Sequence, residues 1–368
     1  MSKLFEISAI NGMKLSNRFV RSGTWEGMST HDGTVTPKLI ETATALARGG
    51  VGLIISSHAY VRPEGQAAPW QLGIYKDEFI DGLQKMTAAV HACGGKIVLQ
   101  LAHAGNFAAE QLTRRPPLVV SDFEGLAESP RKEITAQDFR EIVIAFADAA
   151  RRAKSAGFDG IQIHSAHGYL LSQFLSPAFN RRQDNYGGKV GNRARIHLDV
   201  YDAIRKAVGK DYPVFIKMNC RDFIENGLNL EDSLEVASLL ANAGIDAIEL
   251  SGGLITGGKL SPSRPEINSE DKEAYFMEEA RAFKKQIDIP LILVGGIRSF
   301  EVAERLLEEG AADYISMSRP FIREPGLINR WRAGDRRKAE CKSDNLCFRP
   351  GLKGEGIYCV VEKREKTK

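Results

Sequence analysis

LILVGGIRSFEVAERLLEEGAADYISMSRP, Leu291 to Pro320, reads as a strand, a helix and a second strand. Its first run, LILVGG (Leu291 to Gly296), is apolar on both faces, which suits a strand covered on both sides. FEVAERLLEEGAA then spaces its apolar residues by three and four, the period of a helix that buries one face. YISMSR (Tyr314 to Arg319) returns to a short apolar run. Two parallel strands joined through a helix form the repeating unit of an α/β fold.

The same cycle recurs upstream in RFVRSG (Arg18 to Gly23), GLIISS (Gly52 to Ser57), KIVLQLA (Lys96 to Ala102), GIQIHS (Gly160 to Ser165), VFIKMN (Val214 to Asn219) and AIELSG (Ala247 to Gly252). Between these runs lie the helical patterns PKLIETATALARGG, EFIDGLQKMTAAVHACGG, AQDFREIVIAFADAARRAKSAGF and EDSLEVASLLANAGI, several ending in a glycine suited to a left-handed cap. Eight strand-helix units predict an α/β fold of the (β/α)8 TIM barrel type, with an open doubly wound sheet as the rival. The barrel is expected over residues 1–335, followed by a short tail, 336–368, that carries Cys341, Cys347 and Cys359 and ends in a frayed EKREKTK. Three connections are long: GNFAAEQLTRRPPLVVSDFEGLAESPRKEI, HSAHGYLLSQFLSPAFNRRQDNYGG and GLITGGKLSPSRPEINSEDKEAYF. All three would rise from the C-terminal face of a barrel, where sites are built, as lid and substrate wall.

Composition narrows the partners. With 368 residues, 43% hydrophobic and 26% charged, the chain can bury a large core. A net charge of +3 on scattered basic residues offers no stripe for a nucleic-acid backbone, so no nucleic-acid partner is expected. MSKLFEISAINGMKLSNRFV has no apolar core with a cleavage site and no long apolar window occurs elsewhere, so no membrane partner and a cytoplasmic location are the default expectations. Five cysteines, with Cys93 and Cys220 far from the rest, do not suggest a secreted disulfide framework. Self-association is left open.

Chemistry gathers at the strand ends. Gly295 and Gly296 after the seventh run, with Ser318 and Arg319 after the eighth, offer close backbone N–H groups, a helix start and a bidentate cation, a set that suits phosphate. Gln100 offers the donor and acceptor a planar heterocycle wants, and Lys217 inside an aliphatic barrel needs an anion to face. With Ser251 to Gly253 they point to a phosphorylated aromatic cofactor. His164, His167 and Tyr169 admit three readings. The histidines could bind a metal, fill space, or donate together to one electronegative ligand atom with the Tyr169 hydroxyl as proton donor.

HSAHGYLLSQFLSPAFNRRQDNYGG, with NRFVRSGTWEGM, GVGLIISSHAYV, LQLAHAG, VGGIRS and ISMSRPFIREP, resembles the Old Yellow Enzyme family of flavin oxidoreductases from about Phe5 to Pro325. The resemblance implies FMN at the barrel mouth, reduced by NADH or NADPH, and hydride delivery to an enone or related small molecule, an ene-reductase activity. It implies His164 and His167 on the carbonyl oxygen, Tyr169 as proton donor, Gln100 on the flavin pyrimidine edge and Lys217 near N1 and O2. Ser22, Gly23, Thr24, Trp25 and the Ser57–His58 pair fall where the family contacts the flavin ring, Gly253 follows the sixth strand, and Gly295, Gly296, Ser318 and Arg319 match its phosphate loops. Many members have Pro and then Thr or Cys around Gly23 to Trp25, and Arg at Lys217. CKSDNLCFRPGLKGEGIYC is similar to the iron–sulfur segment of longer members related to 2,4-dienoyl-CoA reductase, with Asp344 where a fourth cysteine is expected. A cluster on Cys341, Cys347 and Cys359, another metal, or unliganded thiols are the alternatives there. No GxGxxG after a strand follows Ile328, so electrons are expected from NADH or NADPH at the FMN, or from a separate partner. A flavin electron-transfer protein with that cluster, and a metal-dependent lyase or hydrolase on His164 and His167, stand as alternative functions.

Overall fold

The computed structural model describes residues 2–126 and 129–367; Met1, Ala127, Glu128 and Lys368, which fall in the N-terminal stretch, the first long connection and the charged end, lie outside the described residues. Eight parallel strands close a barrel: β1 (Phe19–Arg21), β2 (Leu53–Tyr60), β3 (Ile97–Ala102), β4 (Gly160–Ser165), β5 (Val214–Asn219), β6 (Ala247–Ser251), β7 (Leu291–Val294) and β8 (Tyr314–Met317). Met317 of β8 pairs with Arg21 of β1, so the sheet closes and the open alternative fails. Closure pairs every strand on both sides and leaves no edge.

Helices cover the barrel where the apolar stripes predict them. The helix Ala136–Ser155 starts at a reciprocal cap in which the Thr135 hydroxyl accepts from the Asp138 amide and the Asp138 carboxylate from the Thr135 amide. It buries Ile142, Phe146, Ala149 and Ala153 along one face and leaves Ile144 outside. Leu230–Ala243 begins at Asn229, whose side chain accepts from Asp232 N at 2.8 Å, and stops at Gly244 in the left-handed conformation.

Three features depart from the sequence expectations. The N-terminal stretch forms a hairpin, Ser8–Ile10 with Met13–Leu15, turned at Asn11 and Gly12, both at positive φ. Ile10, Met13 and Leu15 pack against Val20, Ile55, Val98, Phe215 and Ile292 and plug the bottom of the barrel. β2 runs on past Ser57 to Tyr60, with a register shift between Ile55 and His58, so His58 pairs beside Gln100. The end expected to fray is a helix, Val360–Lys366, because Arg323 holds Glu365 at 2.6 Å and Lys366 pairs with Glu362 one turn back.

The tail as a whole docks on the barrel. Ala339 N donates to Arg298 O, Ile357 N to Glu26 O, and the Ser343 carbonyl accepts from Glu266 N. It therefore contributes walls to the C-terminal mouth, where the long connections also lie.

Candidate functional site

Inside the mouth the strand registers build a polar floor. Gln100 stands opposite Gln162, His164 opposite Lys217, and Lys217 opposite Glu249. Gln100 Nε2 donates to Gln162 Oε1 at 2.6 Å, and Gln162 Nε2 to Glu249 Oε2 at 2.9 Å. Glu249 also accepts from Ser22 Oγ at 2.7 Å and Ser316 Oγ at 2.8 Å. Lys217 Nζ lies 3.3 Å from Glu249 and donates to Ser22 Oγ at 2.7 Å. Burial acts to raise the Glu249 pKa, but the Lys217 charge and these donors win and hold it below the ordinary carboxylate value. The anion that Lys217 needs is thus an internal one, and a fully buried pair survives only with its remaining groups bonded, as here. Sequence reasoning passed over Glu249, whose signal was a lone acid in the apolar run AIELS.

The three residues of the HSAHGY segment meet above this floor. The His164 ring lies 5.5 Å from His167 and 4.6 Å from Tyr169, centroid to centroid. His167 takes a left-handed backbone conformation, φ 64°, uncommon for a residue with a side chain and held by its amide on Asn219 Oδ1. Its Nε2 is 2.8 Å from Ser251 Oγ. His164 Nδ1 is buried with no partner among the described residues. His58 joins them, its Nε2 3.1 Å from the Tyr169 hydroxyl. Burial, then mutual repulsion and the Lys217 charge, push His164 well below the ordinary histidine pKa; burial and Lys217 do the same to His167 and bring His58 down to about 4. Burial raises the Tyr169 pKa, so the phenol stays protonated. At neutral pH the cluster is uncharged and can donate hydrogen bonds and one phenolic proton.

The phosphate-type residues sit next door. A cavity of about 170 Å³ is lined by Ser22, Gly23, Thr24, Trp25, His58, Gln100, the HSAHGY residues and Lys217, and an adjoining one of about 40 Å³ by Gly296, Arg298, Ser318, Arg319 and Ser343. They share Pro262, Ser263, Val294 and Ser318 as wall. Arg319 Nη1 donates to Asn345 Oδ1 at 2.7 Å, and Arg298 Nη1 to Ser343 Oγ at 3.1 Å. Arg298, Ser343, Asn345 and Phe348 were not anticipated; only Arg298, within VGGIRS, carried a local signal.

Two predicted residues lie differently. Gly295 is not among the cavity walls, and its carbonyl accepts from Tyr275 N. Gly253 also stands outside the walls, its amide on Arg221 O and its carbonyl on Asn219 Nδ2.

An FMN fits what is present. A polar floor and a neighbouring pocket with two guanidinium groups suit a planar ring bearing a phosphate, and His164 Nδ1, buried without a partner among the described residues, is left for a ligand atom above that ring. A Cβ at Gly23 would lie 2.6 Å from Gln100 Nε2, so this glycine lets the amide lie against the end of β1. The tail offers three cysteines and Asp344 where a [4Fe–4S] cluster takes four thiolates. Cys341, Cys347 and Cys359 form no disulfide, and the Asp344 carboxylate accepts from Leu346 N at 3.0 Å. Among the described residues no group of three or more His, Cys, Asp or Glu side chains is arranged to hold a metal ion, at the tail or at His164 and His167. No helix among them is long and apolar enough to cross a membrane.

Residues 3–338 match the model of the NADH:flavin oxidoreductase / NADH oxidase family. The chain is 37% identical over 352 residues to an NADH oxidase of Thermoanaerobacter brockii, covering 93% of this chain and 53% of that one. It therefore spans about half the length of that relative. It is 35% identical over 325 residues to an NADPH dehydrogenase of Bacillus subtilis (strain 168), covering 88% of this chain and 92% of the other. The solved structure of an old yellow enzyme homologue from Zymomonas mobilis superposes with a TM-score of 0.77 at 26% identity, over 93% of this chain and 96% of that one. With its closed barrel and the motifs at its mouth, the chain belongs to the NADH:flavin oxidoreductase / NADH oxidase family, the Old Yellow Enzyme group of flavin barrels.

Proposed function

We propose that the chain is an FMN-dependent oxidoreductase that moves a hydride from NADH or NADPH to the β-carbon of an α,β-unsaturated carbonyl compound. Bound FMN would supply the hydride chemistry. Gln100, Lys217 and the Ser22 to Trp25 segment would hold its ring, and Ser318, Arg319, Arg298 and the Gly296 loop its phosphate. His164 and His167, both neutral, donate hydrogen bonds to the substrate carbonyl oxygen and draw electron density from the alkene. Tyr169 gives its phenolic proton to the α-carbon as the hydride arrives at the β-carbon.

The observation that carries this reading is the pair of adjoining cavities, with His164, His167 and Tyr169 on one and Arg319 on the other, sharing a wall. A phosphorylated planar cofactor would span both, whereas a metal-dependent lyase needs a set of three ligands that the described residues do not bring together. The test is optical. The FMN-loaded protein should develop a long-wavelength charge-transfer band when a phenol is added, and His164→Ala should abolish the band while keeping the flavin. A protein that takes up no FMN on reconstitution but carries stoichiometric zinc would overturn the proposal in favour of the metal-dependent alternative.

A further inference from the structure

The Tyr169 hydroxyl lies beside the imidazole of His58. His58 Nε2 lies 3.1 Å from the Tyr169 hydroxyl, the rings stand edge to face with centroids 5.3 Å apart, and both side chains are buried. His58 reaches this position because β2 continues to Tyr60 after the register shift at Ile55 to His58. Its carbonyl is fixed by Gln71 Nε2 at 3.1 Å, so the backbone under the imidazole is anchored. The charged and titratable groups around the pair are few: His164, its ring 6.0 Å from His58 and 4.6 Å from Tyr169, then His167 and Lys217. Phe107 packs edge-on to Tyr169 from the first long connection.

Tyrosine has one phenolic proton. If the hydroxyl donated it to His58, none would face the cavity; if His58 donates instead, the proton is turned toward the cavity and the oxygen keeps a donor after the proton has gone. We infer that His58 is the positioning residue of the proton-transfer step, donating Nε2–H to the Tyr169 oxygen, aiming its proton at the substrate α-carbon and stabilising the phenolate left behind. The inference rests on the reading of Tyr169 as the acid. In the step, hydride from the reduced cofactor forms the Cβ–H bond, the Tyr169 O–H bond breaks and a Cα–H bond forms. The alkene π pair is consumed, the substrate gains two electrons and two hydrogens, and water later returns one proton to Tyr169. His58 neither gains nor loses a proton over the cycle.

The experiment separates the two half-reactions of FMN-loaded protein under anaerobic conditions, with NADPH as reductant and cyclohexenone as oxidant, in wild type, His58→Ala, His58→Gln, Tyr169→Phe and the His58→Ala, Tyr169→Phe double variant. His58→Ala should slow enone-dependent reoxidation about 10- to 100-fold, the worth of one hydrogen bond to a charged group, and slow flavin reduction by much less. His58→Gln, which keeps a side-chain N–H, should recover most of the loss. The double variant should be no slower than Tyr169→Phe alone, since the two residues act as a unit. Imidazole-nitrogen NMR should show His58 as the Nε2–H tautomer, with a shift on Tyr169→Phe. Additive losses in the double variant, equal slowing of both half-reactions, full-speed reoxidation in His58→Ala, or an Nδ1–H tautomer would each overturn the role of His58 alone. Wild-type protein that binds FMN, accepts NADPH and reoxidises with no enone would overturn the parent reading, and this inference with it.

Discussion

Gly23 and Gln100 occupy a space that admits one side chain, since a Cβ on Gly23 would fall 2.6 Å from Gln100 Nε2. Gly23→Ala should therefore displace the amide that bridges to Gln162, weaken FMN binding about 10-fold, the cost of one misplaced hydrogen-bonding group, and lower thermal stability by about 1–3 kcal/mol as a buried hydrogen bond is lost. Fluorescence titration with FMN measures it; unchanged affinity would remove Gln100 from the cofactor site. At this scale much of the candidate site was legible in the sequence. Gln100, His164 and Lys217 stand out as polar residues in mostly apolar runs, whereas Gln162, in the same run as His164, shows its part only once the barrel brings β3, β4 and β6 together. Glu249 stands out equally in AIELS, but its meaning depends on β5 and β6 lying in register, which sets it opposite Lys217. His58 was expected at the flavin ring; its side chain on Tyr169 follows from a register shift that periodicity does not reveal.

The barrel strands were the most legible elements, because strands buried on both faces leave short apolar runs that nothing else in the chain imitates. The hairpin under the barrel was announced only by Asn11-Gly12 between strands of three residues each. The tail was the least legible, because its value lies in contacts far along the chain. Asn345 holds Arg319 at 2.7 Å and anchors itself on the Ser263 carbonyl, at φ 59°, a left-handed conformation that no glycine advertises. Asn345→Ala should free the guanidinium and weaken FMN binding by about 3- to 10-fold, about one hydrogen bond's worth, while leaving riboflavin binding unchanged. Paired titrations with the two flavins measure the difference. Equal losses would mean that Arg319 serves the ring or the fold and not a phosphate.

For the whole molecule, the strand-helix cycle determines the barrel and the barrel gathers the histidines, at a cost that appears in acid. His58, His103 and His197 are each pushed down to about 4, in every case first by burial, with Lys217 adding to it at His58. In the unfolded chain such residues titrate near 6.5, so between about pH 6.5 and 4 these histidines bind more protons in the unfolded state, while Glu26, pushed up to about 7 by burial, acts in the opposite sense and offsets part of the effect. The stability they contribute is present above about pH 6.5 and is lost as the pH falls toward 4. Thermal unfolding should accordingly give a constant Tm above neutrality and a falling one through this window, less steeply in His197→Gln if that variant folds; a flat profile from pH 7 to 5 would contradict the buried neutral assignments. The long connections at the mouth could be placed from the sequence but not shaped, since their contacts are set by the barrel beneath them.

If this mouth holds FMN and cycles it between a nicotinamide and an enone, the flavin colour must follow both reactants. One anaerobic spectrum followed through a single cycle tests it most directly: FMN-loaded protein, one equivalent of NADPH or NADH, then an excess of cyclohexenone. The flavin absorbance should bleach with the nucleotide and return with the enone. A protein that takes up no FMN, or that holds FMN which neither nucleotide bleaches, would contradict it.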